Sequence, residues 1–303
     1  MDRNQHLPLV SFCTQTYNSA RWIEGLLNCA KNQTYPNLEL IISDDCSTDN
    51  TVQLVRDWIA LNGERFSRCV LVSTTHNLGY AGNKANAEKQ CQGDYIKSID
   101  SDDLIDNTFI EKAVYILEQK KEYSFLFTNS ITITQDGYEQ EPPYYVGKDA
   151  FHALFMLDLW INTNTWFYRR EVMESTSYRP EMFLSEDYLR LLEIASKYRL
   201  YHLDEYLSYC RRDYDKAPTN MFHWYVSQLM AINHFKDYSE YPNRSKLIKQ
   251  GISYYVYEDN RPLSFISLAF QFHDPFFIKE YFIYYKRKIK LCIKSLFNSK
   301  QPQ

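Results

Sequence analysis

In the stretch Gly93 to Asp103, GDYIKSIDSDD, an apolar run from Tyr95 to Ile99 ends abruptly in Asp100, Ser101, Asp102 and Asp103. The run has the length and composition of a short buried strand. Three carboxylates within four residues repel one another unless something neutralises them, and a divalent cation shared with a diphosphate would do so. Mg2+ and Mn2+ prefer oxygen ligands and often use only one or two protein carboxylates, so not every acid is needed. The competing reading is an Asx turn capping a helix after Asp106, which accounts for one or two of the acids.

Outward from this stretch, short β-branched or apolar runs alternate with longer amphipathic ones. Strands are predicted at 9–14, 38–43, 69–73, 95–99 and 124–128. Between the first of these, Trp22, Leu26, Leu27 and Ala30 recur at helical spacing, as do Val52, Val55, Trp58 and Ile59. The pattern is βαβαβαβ, an α/β domain with a mostly parallel central sheet flanked by helices. Ligands of such sheets sit beyond the carboxyl ends of the strands, and that is where the acids fall. From Tyr144 to Tyr209 the regularity weakens, leaving one helix at about 186–198 and a short strand near 201–203. Tyrosine-rich helical segments follow Pro218, with Pro242 and Pro262 as punctuation. The expected organisation is a catalytic domain over 1–212, made of a nucleotide-binding half (7–129) and an acceptor half (130–212), and a helical C-terminal appendage over 213–303.

Composition narrows the function. With 303 residues, 45% of them hydrophobic, the chain can bury a full core. A net charge of −4 gives no electrostatic reason to expect nucleic acid as a partner. Seven cysteines without a C-x-x-C pair or zinc spacing suit a reducing cytoplasm, and the N-terminus lacks signal-peptide character. No run reaches the roughly 18 apolar residues of a spanning helix. The last basic stretch, 279–300, holds seven Lys or Arg against Glu280, and reads either as a peripheral contact with an anionic membrane or as a packed helix with a solvated basic face.

Three further groups of residues point to chemistry. Asp44 and Asp45 follow the strand at 38–43; a carboxylate there accepts from nucleobase N–H groups, while the plainer reading is a turn with Ser47 or Asp49 as a helix cap. Glu186 and Asp187 stand in the first turn of a helix, favoured there by its dipole with Ser185 as cap; facing a donor, Asp187 could take a proton from an acceptor hydroxyl, with Glu186 in a positioning role. Arg211 and Arg212 precede a loop at 213–219 and could bind diphosphate oxygens in a fork, or form a solvated basic pair.

In order, VSFCTQTYN (10–18), NQTYPNLELIISDDCSTDNT (32–51), HNLGYAGNKAN (76–86), GDYIKSIDSDD (93–103) and SEDYLRL (185–191) resemble glycosyltransferase family 2, whose members have a GT-A fold. The resemblance covers about residues 7–212 and implies an inverting, metal-dependent transfer from a nucleotide diphosphate sugar, UDP by family frequency, to a saccharide or lipid-linked acceptor in surface polysaccharide synthesis. It implies that Thr16 and Tyr17 line the nucleotide pocket and that Asp45, with Asp44, binds the base. Asp100, Ser101 and Asp102 match the D-x-D motif, with Asp102 and then Asp100 as ligands of Mn2+ or Mg2+. Asp187 matches the catalytic base, Arg211 a segment near the diphosphate, and Lys84 a position that is arginine in many members, which keeps the charge but not the fork. Gln15 and Cys46 stand where proline and glycine are usual. A catalytically silent nucleotide-sugar binder of the same fold is the alternative, as is a receiver-like module, which the length and the DSDD segment disfavour.

Overall fold

A computed structural model of the chain describes residues 7–140, 149–179, 186–211, 221–258 and 263–298. The expected loop at 213–219, with Arg212, Ser185 and Pro262, lies outside these residues. The chain divides into two compact units, 1–218 and 219–303.

The first unit opens with four strands, β1 (Val10–Thr16), β2 (Leu38–Asp44), β3 (Arg68–Ser73) and β4 (Tyr95–Asp100), joined by helices α1 (Ile23–Lys31), α2 (Thr51–Asn62) and α3 (Gly79–Glu88). They pair in parallel in the order β3-β2-β1-β4, as right-sized crossover units do. Every residue of β1 and β2 is buried, so both faces are covered and the strands read as continuous apolar runs rather than alternating ones. Leu26, Leu27 and Ala30 of α1 and Val55 and Trp58 of α2 supply one cover. Trp22 departs from its expected place: it stands before α1, only partly buried, with the guanidinium of Arg21 4.1 Å from its ring centre and that of Arg211 4.8 Å away.

Beyond β4 the sheet becomes mixed. Strands β5 (Leu104–Ile105), β6 (Phe125–Thr134), β7 (Gly137–Gln140), β8 (Phe167–Arg169) and β9 (Leu200–Arg211) complete a nine-stranded sheet among the described residues, ordered β3-β2-β1-β4-β8-β6-β9-β5 with β7 on β6. β8 is antiparallel to both β4 and β6, and β9 runs parallel to β6 past an irregularity at Thr128–Ser130. The strand expected at 201–203 is thus only the start of a twelve-residue strand that carries the chain back to β5. Helices α4 (Phe109–Gln119), α5 (Ala150–Met156), α6 (Arg170–Ser175) and α7 (Glu186–Lys197) pack on this half. α7 is buried around more of its circumference than an amphipathic stripe requires: besides Tyr188 and Leu191 it buries Leu189, Arg190, Leu192 and Ile194. Arg190 is 0% exposed, and it is tolerated there because its Nη1 pairs with Glu88 of α3 at 2.6 Å.

The second unit is helical: α8 (Met221–Ile232), α9 (Tyr241–Glu258), α10 (Leu263–Phe272) and α11 (Pro275–Asn298). Pro242 sits in the first turn of α9 and Pro275 opens α11, positions where the missing N–H is not needed. No described helix is long and apolar enough to cross a membrane.

Candidate functional site

Strand register puts the predicted residues in one row. Thr16 lies opposite Asp44 and Gln15 opposite Asp100, so the carboxyl ends of β1, β2 and β4 coincide. The loops beyond them are cross-linked. Asn18, with a left-handed φ of 48°, holds the Thr48 N–H on its Oδ1 at 2.8 Å, and its own N–H donates to Ser47 Oγ at 2.9 Å. Cys46 also has a left-handed φ, 62°, which explains why glycine is usual at this position. Ser19 and Ser101 hydroxyls meet at 2.8 Å and tie the β1 loop to the D-x-D segment.

These loops enclose a cleft of about 550 Å³ lined by, among others, Thr16, Tyr17, Trp22, Asp45, Tyr80 and the segment Asp100 to Asp102. Asp45, buried, accepts the Leu78 N–H at 2.7 Å and the Thr74 hydroxyl at 3.2 Å on the same Oδ1. Asp44 does not line the cleft. Its carboxylate takes Thr16 Oγ1 (2.9 Å), the Ser47 N–H (2.9 Å) and Ser47 Oγ (2.5 Å), so it braces the turn that presents Asp45. Asp49 caps likewise, accepting the Thr51 N–H at 2.9 Å.

Asp100 is held by three side chains: Gln15 Nε2 at 2.5 Å, Tyr80 OH at 3.0 Å and Lys84 Nζ at 3.3 Å. Burial pushes its carboxyl up, but Lys84 and the hydrogen bonds from Gln15 and Tyr80 outweigh it and hold it below the usual carboxylate range. Lys84, 1% exposed, is raised above its ordinary range because Asp100 and Asp187 overcome the burial that would lower it. One carboxylate oxygen each of Asp100, Asp102 and Asp103 lies within 4.8 Å of the others. The cluster is short of positive charge: burial first, then Asp100 and Asp102, push Asp103 up to about 8. An oxygen-only set with excess negative charge fits a hard divalent ion such as Mg2+ or Mn2+. Of the three, Asp100 and Asp102 face the cleft. The Asx turn weighed against this reading exists, but it is made by Asp106, which accepts the Thr108 N–H at 2.8 Å and leaves Asp100 to Asp103 unexplained by capping.

A second, smaller cleft of about 150 Å³ meets the first at Asp100 and is lined by Asp187. Asp187 Oδ1 lies 3.6 Å from Lys84 Nζ and accepts no hydrogen bond. Burial pushes its carboxyl up, with Lys84 opposing. Glu186 lines neither cleft; its Oε2 is buried without a partner, and burial followed by the charge of Asp187 pushes it up to about 7. Arg211 donates its N–H to Asp103 Oδ1 at 3.1 Å and lays its guanidinium on Trp22, at the first cleft's wall.

The description Glycosyl transferase family 2 is that of a family whose profile matches residues 11–177, more than half of the chain. The chain belongs to this family. The GT-A architecture of the family 2 chain is shared with solved structures. The 1–349 fragment of S. aureus TarS has a TM-score of 0.67 at 20% identity, covering 90% of this chain and 80% of that one. Pyrobaculum calidifontis mannosyltransferase PcManGT, solved with GDP-Man and Mn2+, has a TM-score of 0.56 at 18% identity, covering 94% and 87%. Among curated relatives, the Escherichia coli UDP-Glc:alpha-D-GlcNAc-diphosphoundecaprenol beta-1,3-glucosyltransferase WfaP is 32% identical over 143 residues, 47% of this chain and 49% of its own length. The chain spans about half the length of the first curated relatives it matches.

Sequence reasoning missed several residues that the fold brings to the site. Gln15 and Tyr80 hold Asp100, Asn83 Nδ2 anchors the Thr16 carbonyl at 3.1 Å, and Trp22 forms a wall. Gln15 carried a signal, since it breaks the proline pattern of the family. The Glu88–Arg190 pair that locks α3 to α7 carried none, being 102 residues apart.

Proposed function

We propose that the chain transfers a sugar, with inversion, from a UDP-sugar to a hydroxyl of a saccharide or lipid-linked saccharide during surface polysaccharide synthesis. The observation that carries this is the convergence on Lys84 of Asp100 (3.3 Å) and Asp187 (3.6 Å), which joins the acid cluster of one cleft to a proton acceptor on the edge of the next. A nucleoside diphosphate sugar in the larger cleft would present its base toward Asp45, with Thr16 and Tyr17 beside it, and its diphosphate toward Asp102 and Arg211. Asp102, with Asp100, would hold a divalent ion, Mn2+ or Mg2+, whose charge offsets that of the diphosphate. Asp187 takes the proton of the acceptor hydroxyl; that oxygen forms the bond to the anomeric carbon as the carbon–oxygen bond to the diphosphate breaks, and the nucleotide leaves with the electron pair. A carboxyl raised by burial is a stronger base than an exposed one, which suits the task. Lys84 keeps Asp187 oriented and ionised.

The donor assignment is supported by TarS, solved with UDP-GlcNAc (TM-score 0.60, 19% identity), and by the UDP-Glc donor in the name of WfaP. WfaP's diphosphoundecaprenol acceptor supports a lipid-linked acceptor at the cytoplasmic face of a membrane, which the basic residues at 279–300 would favour by about 1 kcal/mol each near an anionic surface. Side chains of that segment are described only to Lys286. The test of the transfer reading is Asp187→Asn assayed with UDP-sugars: turnover should fall by at least about 100-fold while UDP affinity stays within about twofold. Unchanged turnover would end the reading, and loss of both would mean that Asp187 holds the donor rather than the proton.

A further inference from the structure

The smaller cleft has a chemistry of its own. Trp160, 47% exposed, forms part of its wall, and the indole is fixed in orientation: its plane lies 18° from that of Tyr188 at 6.3 Å between centres, and Nε1 donates to Asn162 Oδ1 at 3.1 Å. A partly exposed aromatic plane of this kind buries the C–H face of a sugar ring. Asn164, 1% exposed, lines the same cleft; its backbone carbonyl is taken by Lys97 Nζ (2.5 Å) and Ser208 Oγ (3.2 Å), and its Nδ2 donates to Ser130 Oγ at 3.3 Å. Asn164 Oδ1 has no hydrogen-bond partner, and a buried acceptor left so is unfavourable unless a ligand supplies a donor. Asp187, whose Oδ1 is buried and ion-paired with Lys84 at 3.6 Å, lines the same space. An orphaned amide oxygen, a carboxylate and an aromatic plane call for a ring with hydroxyl donors.

The charge of the wall selects further. Asp100, Asp103 and Asp187 line it, no Lys, Arg or His does among the described residues, and the one cation paired with them from behind, Lys84 on Asp100 and Asp187, leaves the carboxylates in excess. A ligand carboxylate or phosphate would meet like charge in a partly desolvated space. The cleft is also about a quarter the size of its neighbour, at about 150 against about 550 Å³.

Building on the transfer reading above, we propose that the smaller cleft receives the terminal unit of the acceptor as a single uncharged pyranose, laid on Trp160 and held through hydroxyls by Asn164 and Asp187, and that it rejects uronates and phosphorylated sugars. Trp160 and Asn164 are therefore specificity residues for the acceptor and have no part in holding the donor.

Saturation-transfer NMR on the full chain in buffer with EDTA tests this with neither donor nor divalent ion present, UDP affinity being measured separately with Mg2+. The probes are methyl β-D-glucopyranoside, methyl β-D-galactopyranoside, methyl 2-acetamido-2-deoxy-β-D-glucopyranoside and methyl β-D-glucuronide, each alone. At least one neutral glycoside should receive saturation at least fivefold more strongly than the glucuronide. Trp160→Ala should cut that signal at least fivefold, Trp160→Phe should restore most of it, and calorimetric UDP affinity should be the same in all three proteins. A glucuronide signal equal to or above the neutral ones, no signal from any glycoside, or indifference to Trp160→Ala would overturn the proposal. Failure of UDP to bind wild type would instead strike the transfer reading and leave the glycoside result standing.

Discussion

The two clefts of the first unit hold their carboxylates in different ways. At the larger cleft and the turn behind it, the carboxylates of Asp44, Asp45 and Asp100 are each held by two or more side-chain or backbone donors, and the loops bearing them are cross-linked by Asn18 and Ser19. Around α7 and the smaller cleft, Glu186 Oε2 and Asn164 Oδ1 are buried and accept nothing, and Asp187 Oδ1 has only its ion pair with Lys84; the larger cleft has orphaned atoms too, Gln15 Oε1 and Asn83 Oδ1, but these are amides and not carboxylates. Carboxylates already held in place are pre-organised for a ligand and need little rearrangement to bind it. A surface with unmet acceptors stores a cost that a donor-rich ligand relieves, and it holds a carboxyl in the raised state that general-base chemistry uses. Lys84 pairs with carboxylates of both clefts, Asp100 and Asp187.

That contrast can be broken or sharpened by substitution. The largest expected effect is that of Lys84→Met, which leaves Asp100 and Asp187 without their buried cation; stability should drop by about 3 kcal/mol, read by urea unfolding at pH 7, the lower end for a buried pair because both carboxylates are partly exposed. A change below about 0.5 kcal/mol would mean that the halves are not joined there. Next, Asp102→Asn should lower turnover of a UDP-sugar by about 100-fold or more, with the far-UV circular dichroism unchanged, because the carboxylate proposed to hold the ion is lost while the strands and helices keep their packing. Gly93→Ala follows: an added Cβ would stand 2.4 Å from the Ser11 nitrogen and 2.7 Å from the Tyr95 oxygen, both backbone atoms, so the β1–β4 approach must open, at a cost of about 2 kcal/mol in the same unfolding assay.

The smallest effect is a gain. Glu186 is raised to about 7 in the fold against its ordinary 4.5. Below pH 4.5 both folded and unfolded chains are protonated there and nothing is lost. As pH climbs, the unfolded chain releases the proton first, so stability declines until the folded group ionises near 7. Glu186→Gln should therefore stabilise the protein at pH 8, by about 1–2 kcal/mol after discounting for partial exposure, and the difference from wild type should vanish toward pH 4.5. Destabilisation at pH 8 would show that the acceptor side is better satisfied than its geometry indicates.

The same contrast explains what was legible in the sequence. The parallel half was readable almost to the residue, because a strand buried on both faces is a continuous apolar run and its acids fall at the strand end by topology. Asp187 was legible only through the family pattern, since an acid in a first helical turn is explained equally well by the helix dipole. The strand pairings of β8 and the full length of β9 were not legible: three residues in antiparallel register carry too little periodicity, and β9 is only partly buried along most of its length. Asp44 and Asp45 look alike in sequence, and only the β2 turn decides which one braces and which one faces the cleft.

The central claim is that the larger cleft takes a nucleoside diphosphate through a divalent ion on Asp102. Calorimetric titration of UDP into the full chain tests it most directly, with Mn2+ and with EDTA, on wild type and Asp102→Asn. The account expects UDP to bind wild type at least tenfold more tightly with Mn2+ than with EDTA, and the dependence on metal to disappear in Asp102→Asn. Equal UDP affinity with Mn2+ and EDTA in wild type, or a metal dependence that survives the substitution, would contradict it.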